Sequence, residues 1–147
     1  MKRTGLVCVA MAMCMAFLSC HQVDAVTEAD AKVMADTAKY TDISWQDTVV
    51  NFGTVNKGEL VKVSFHFRNG GNNPLIVANV RAGCGCTVPD YTKGAIPPGG
   101  EGEVTGAFDT NKAQEGEVRK AIFVTANTHI KTRHTLIFTG LIREGKQ

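Results

Sequence analysis

Beyond Ile43 the chain follows a period of two. In Leu60–Arg68, Val61, Val63, Phe65 and Phe67 fall on one side, and Lys62, Ser64, His66 and Arg68 on the other. This is the alternation of a half-buried strand, whose successive side chains point to opposite faces. Leu75–Val80 is a second such run. Val104 and Phe108 share a face in Glu103–Phe108, and Leu136 and Phe138 share a side in Thr135–Ile142. In Val118–Thr125, Val118, Ile122 and Val124 point one way while Arg119 and Thr125 point the other. Between the runs lie Gly70-Gly71-Asn72-Asn73-Pro74, Pro97-Pro98-Gly99-Gly100 and Asn127-Thr128-His129, residues that accept positive φ or cannot extend a ladder. With a segment around Trp45–Phe52 and another at Cys84–Val88, the pattern predicts about seven short strands. No amphipathic helix separates them, which excludes parallel βαβ units. The expected fold is all-β, an immunoglobulin-like antiparallel β-sandwich. Trp45, Phe52, Phe65, Phe67 and Phe108 are the large side chains placed to fill its interior.

The segment before Ile43 follows another rule. Lys2 and Arg3 precede an uncharged apolar run from Gly5 to Leu18, too short to span a bilayer that needs about 20 residues. A basic start, a short apolar run and small Ser19 before Cys20 describe an export signal with a lipid-accepting thiol. Residues 1–19 are therefore expected to be a lipoprotein signal peptide, with Cys20 the lipidated (palmitate-type) residue. Ordinary cleavage near Val23-Asp24-Ala25, which discards Cys20, is the alternative. Residues 20–40 read as a tether: Thr27-Glu28-Ala29-Asp30 has the form of a capping box, but Val33 and Met34 are the only sizeable apolar residues of the stripe behind it. Residues 41–143 make the sandwich and 144–147 a tail.

Processing changes the charge balance. The chain carries 16 basic and 14 acidic residues, and without Lys2 and Arg3 the count is 14 against 14. A nucleic-acid partner is excluded, because phosphate recognition needs a basic surplus. Of five cysteines, Cys8 and Cys14 lie in the signal and Cys20 carries lipid, so only Cys84 and Cys86 belong to the fold. Two cysteines make no disulfide framework, and about 100 residues supply one hydrophobic core.

Cys84-Gly85-Cys86 is the one constellation with chemistry in it. Residues i and i+2 of an extended segment point the same way, so both sulfurs converge. Three readings stand open: a Cu(I) or Zn(II) site with Cys84 and Cys86 as ligands and a histidine completing the shell, a reducible disulfide across one residue, and two small side chains packed at a glycine bend. His66 alternates with Phe65 and Phe67 and faces outward, while His129 and His134 flank the last strand as solvated turn residues. The acidic residues Asp90, Glu101, Glu103, Asp109, Glu115 and Glu117 cluster in turns and at strand ends, where a solvated edge is expected. No Gly-x-Ser-x-Gly elbow and no phosphate loop is present, and no catalytic residue is assigned.

In order along the chain, Asn51-Phe52-Gly53-Thr54-Val55, Gly58, Phe65-His66-Phe67-Arg68-Asn69, Pro74-Leu75-Ile76-Val77, Cys84-Gly85-Cys86-Thr87-Val88-Pro89, Ile96-Pro97-Pro98-Gly99-Gly100, Phe108-Asp109, Gly116, Thr125-Ala126-Asn127 and Leu136-Ile137-Phe138-Thr139-Gly140 resemble the bacterial domain of unknown function 1573. The resemblance implies an exported, often lipid-anchored protein with an Ig-like sandwich similar to Hydin-type and major-sperm-protein-type domains. It also implies that Cys84, Gly85 and Cys86 are the family's signature. Ala82-Gly83 departs from the Ser or Asn common before that motif. The combined expectation is a non-enzymatic, lipid-anchored cell-envelope module that binds a protein, peptide or glycan partner. His21 is not an acidic inner-membrane retention signal, so the outer membrane is the expected address. The alternatives are a Cu- or Zn-binding or thiol-redox accessory protein using Cys84 and Cys86, and a structural stalk without a ligand.

Overall fold

The computed structural model describes residues 28–144; the signal segment, Cys20, the Thr27 cap and residues 145–147 of the tail lie outside the described residues. A short helix, α1 (Glu28–Ala35), and a 3-10 turn (Thr37–Lys39) precede the strands. The turn is capped by Asp36, whose carboxylate accepts the Ala38 N–H at 3.1 Å. Nine strands follow among the described residues: β1 (Ile43–Trp45), β2 (Val49–Asn56), β3 (Leu60–Asn69), β4 (Leu75–Ala82), β5 (Thr87–Tyr91), β6 (Ala95–Ile96), β7 (Glu101–Asp109), β8 (Gly116–Ala126) and β9 (Arg133–Arg143).

One sheet has the order β1-β3-β7-β5 and the other β2-β9-β8-β4-β6. The sandwich predicted from the alternation is present, with two corrections. The count exceeds seven because the Trp45–Phe52 segment divides into β1 and β2 on different sheets, and because Ala95–Ile96 adds a two-residue strand to β4. The sandwich is also not wholly antiparallel: β2 runs parallel to β9, with Val49 opposite Ile137 and Asn56 opposite Arg143. Parallel neighbours need a long connection between them. Here it is the rest of the sandwich rather than a helix.

The core lies where period-two alternation places it. Val104, Phe108, Ile122, Val124, Leu136 and Phe138 have no exposed surface, and Phe65 is 1% exposed. Each such burial contributes about 1.5–3 kcal/mol. Phe108 and Phe138 meet at 5.4 Å between ring centroids, and Phe52 leans on both at 5.9 and 6.3 Å. Phe52 is only half-buried because β2 is an edge strand. Its ring covers Gly140, where a Cβ would overlap it. Trp45 is likewise half-buried and packs edge-on against Phe67 at 5.0 Å.

Two buried asparagines close one end of the sandwich. Asn69 accepts the Thr41 hydroxyl (2.8 Å) and the Gly71 N–H (3.1 Å), and donates to the carbonyls of Asn73 (2.8 Å) and Ile96 (3.0 Å). Asn127 accepts the Ile76 N–H (2.7 Å) and donates to the carbonyls of Lys39 (2.9 Å) and Pro74 (3.0 Å). Asn73 reaches the carbonyls of Ala38 (3.2 Å) and Tyr40 (2.8 Å). The end of the segment assigned to the tether is thus hydrogen-bonded to the sandwich. These side chains satisfy backbone groups that no ladder reaches. Asn127 is fully buried, and Asn127→Ala orphans three backbone groups. It should cost about 3 kcal/mol or more, at 1–3 kcal/mol per buried group left unpaired. Urea unfolding measures this, and a loss below about 1 kcal/mol contradicts the role.

Candidate functional site

Cys84 and Cys86 are joined in a disulfide, their Cα atoms 5.3 Å apart. The bond spans the point where the chain leaves the sheet of β4 for the sheet of β5. On one side the Gly83 N–H donates to the Ala121 carbonyl of β8 (2.9 Å), and on the other the Cys86 carbonyl accepts the Asp109 N–H of β7 (2.9 Å). Gly85 is exposed with open space around it, Cys84 is half-buried and Cys86 is 6% exposed. The hydroxyl of buried Thr87 lies 3.6 Å from the Cys84 sulfur and 3.9 Å from the Cys86 sulfur. Bonded to each other, the sulfurs carry no thiolate to offer a metal. Among the described residues, no three His, Cys, Asp or Glu side chains converge on a point where an ion could sit.

A second feature is the free edge of β1. The Asp42 carbonyl accepts the Gly70 N–H and the Gln46 N–H donates to the His66 carbonyl, both at 2.9 Å. Ser44 therefore bonds to Arg68 of β3, while Ile43 and Trp45 turn their backbone groups away from the sheet. Recesses lie on both sides of this edge. Outward is an open groove of about 490 Å³ lined by Ser44, Gln46, His66, Arg68 and Glu101. Inward, at the seam between the sheets, is a smaller recess of about 160 Å³ lined by Ile43, Trp45, Ile130, Lys131 and His134. Ile130 at its rim is 93% exposed.

The other edges are blunted. In β5, Thr87, Pro89 and Tyr91 face away from β7. Pro89 has no N–H, and the Tyr91 N–H is taken by the Asp90 carboxylate at 2.8 Å. β2 is broken by a bulge at Gly53, whose φ is +79°. There Asn51 caps the Gly53 N–H (2.7 Å) and Glu59 the Asn56 N–H (2.8 Å). β6 has only two residues. Short strands, proline and bulges are the usual means of preventing unwanted pairing at an edge.

The family model described as "Protein of unknown function (DUF1573)" matches residues 43–142. The chain belongs to the DUF1573 family. No curated protein sequence matches it. Among solved structures, the domain is similar to a protein of unknown function from Porphyromonas gingivalis W83. The TM-score is 0.63 at 18% identity, over 72% of this chain and 49% of that one. It is also similar to the ASH / PapD-like domain 7 of human CEP192 (TM-score 0.59, 13% identity, 74% and 89% covered). A third is the CsuC–CsuE chaperone–tip adhesion subunit pre-assembly complex from Acinetobacter baumannii (TM-score 0.50, 10% identity, 69% and 57% covered). At these identities the likeness is one of fold. The chain spans about half the length of the P. gingivalis protein.

The remaining candidates in this DUF1573 domain sort by burial. His66 is exposed on β3, as its alternation requires, and stands opposite Glu103; Glu101 stands opposite Arg68. Asp90, Asp109 and Glu115 pair with Lys93, Lys112 and Lys57 at 3.7, 3.6 and 3.8 Å, surface contacts that contribute little to stability. His129 is exposed, but His134 departs from the expected solvated turn: it lies in β9, 6% exposed. The Trp45 indole N–H points at its Nδ1 (3.4 Å), and its Nε2 lies 2.9 Å from the Thr128 hydroxyl. Indole nitrogen only donates, so Nδ1 accepts and Nε2 carries the proton, given to Thr128, whose hydroxyl donates to the Lys131 carbonyl. Only the pairing of β9 with β8 carries His134 inward. The one advance signal was its period-two spacing from Leu136 and Phe138.

This network holds a neutral imidazole. Burial, reinforced by the Lys131 ammonium, lowers the His134 pKa below 6.5. The unfolded chain therefore binds the proton more readily, and stability rises with pH across that interval. It is complete above about pH 6.5 and declines as the pH falls toward the folded pKa. Thermal unfolding between about pH 7.5 and 5 should show this decline, and His134→Gln should flatten it. Equal slopes in both proteins contradict the assignment.

Proposed function

We propose that this domain is a non-enzymatic, lipid-anchored module of the bacterial envelope that captures an extended segment of a partner protein along β1. One observation carries the reading: β1 is the edge left uncapped, and it has a recess on each face. An added strand sends successive side chains to opposite faces. One set would enter the groove by His66, Arg68 and Glu101, and the other the seam by Trp45 and Ile130. Backbone pairing supplies affinity in such strand addition, and the pockets supply selectivity. The outer groove is polar, with Arg68 held by the Gly99 carbonyl at 3.0 Å, and suits a polar or charged side chain. The seam suits an apolar one. A sandwich fold shared with a chaperone–subunit complex is compatible with this use.

A photo-crosslinking residue at Gln46 or Ile130 should form an adduct with one polypeptide in cells, and the same residue at exposed Val88 on β5 should not. Ile130→Asp should lower the Gln46 yield severalfold. Equal adducts at Val88, or none at β1, count against the edge.

Anchoring rests on Cys20. Each buried acyl CH₂ contributes about 0.8 kcal/mol, and removing the acyl acceptor removes all of them. Cys20→Ala should therefore move the protein from the membrane to the soluble fraction. Membrane retention of that variant excludes a lipid anchor there.

A further inference from the structure

We propose that the Cys84–Cys86 disulfide is a thiol–disulfide exchange site, opened by an external thiol at Cys84 and closed again by Cys86. A disulfide acting as a staple constrains the unfolded chain, and its effect grows with the loop it closes. This one encloses a single residue, Gly85. The crossover it spans is already hydrogen-bonded to β8 through Gly83 and to β7 through Cys86. The bond therefore adds little to holding the turn.

Thr87 supplies the second observation. Its hydroxyl is buried, and its only partners among the described residues are the two sulfurs. A disulfide sulfur is a weak acceptor and a thiolate a strong one. The hydroxyl is thus better satisfied when the pair is open. Access is asymmetric: Cys84 is half-buried beside exposed Gly85, and Cys86 lies beneath.

The co-reactant is a low-molecular-weight thiol or a protein dithiol. Its thiolate attacks the Cys84 sulfur and forms a mixed disulfide. The Cys84–Cys86 bond breaks with its electron pair on the Cys86 sulfur, which receives the Thr87 hydrogen bond and stays a thiolate under it. A second external thiolate attacks the external sulfur of the mixed disulfide, so that the external disulfide leaves and Cys84 is freed as a thiolate. Cys84 then takes up one proton, so the protein pair gains two electrons and one proton, while two external thiols become one disulfide and release their second proton to water. In the reverse direction the pair is an oxidant's product and the external disulfide is reduced.

The test is a glutathione redox series on the full chain, quenched by thiol alkylation and read on the tryptic peptide Ala82–Lys93, which holds Cys84 and Cys86 and no other cysteine. Both forms should be populated across the series while circular dichroism and thermal unfolding stay those of the folded protein. A pair that remains oxidised until the fold is lost, or whose reduction unfolds the domain, overturns the proposal. Cys86→Ser, with Cys84 left free, should trap a glutathione adduct at least tenfold faster than Cys84→Ser. Equal rates overturn the assignment of Cys84 as the point of attack. Thr87→Val should shift the midpoint about fivefold toward the disulfide, the worth of one hydrogen bond, and an unshifted midpoint removes Thr87 from the site.

Discussion

Thr41 is held from both sheets at once, and the placement of everything at the β1 edge depends on it. Its N–H donates to the Asn127 carbonyl and its carbonyl accepts the His129 N–H, which ties it to the sheet of β8 and β9. Its hydroxyl donates to the Asn69 side chain, at the end of β3 in the other sheet. One residue later the Asp42 carbonyl bonds to Gly70, and the chain has changed sheets. Gly71 is required at this crossing because a Cβ there would overlap the Thr41 hydroxyl. A buried junction between sheets leaves backbone groups outside both ladders, and each must find a partner or cost its desolvation. Asn69 and Asn127 supply those partners.

From that crossing follows the edge. β1 pairs for three residues and then leaves for β2 through Gln46–Thr48, and among the described residues no strand covers its outer side. The seam it leaves open is lined by half-buried Trp45, against which the Phe67 ring and the buried His134 pack. The imidazole accepts the indole N–H and donates to Thr128, so the floor of the seam is a fixed set of hydrogen bonds rather than a mobile gap. The opposed treatment of β5, where outward Pro89 has no N–H and the Asp90 carboxylate takes that of outward Tyr91, makes the two ends of the same sheet chemically unequal.

The crossing from β4 to β5 is built differently. Among the described residues, no buried asparagine bridges it. Hydrogen bonds from Gly83 and Cys86 fasten it to separate sheets, and a disulfide lies between them. Where the crossing at Thr41 is satisfied by amides that do not change state, this one contains a bond that can be made and broken. Polar side chains thus gather at these crossings, as they do at the sheet edges, because in both places the ladder leaves backbone groups without a partner.

Much of the fold was legible in residue order. The alternation through Val61, Val63, Phe65 and Phe67, and through Val118, Ile122 and Val124, marks inward positions whatever the strand order, because a strand half-buried in any sheet has that period. Glycine and proline clusters marked the turns for an equally local reason. The convergence of Cys84 and Cys86 was legible from their spacing, although the bond between them was one of three open readings. What sequence order did not contain was which strand neighbours which. The division of the Trp45–Phe52 segment, the parallel pairing of β2 with β9, the inward turn of His134 and the linking of Asn69 to Asn127 through Thr41 all join residues far apart in the chain. Each arises from partners that meet only when two sheets close on one core; alternation marked the face of His134 but named none of those partners. The sequence alone thus determined most of the inward strand positions and where the chain turns, while tertiary structure decided which edge stays open and what lines it, since an edge is defined by the neighbour it lacks.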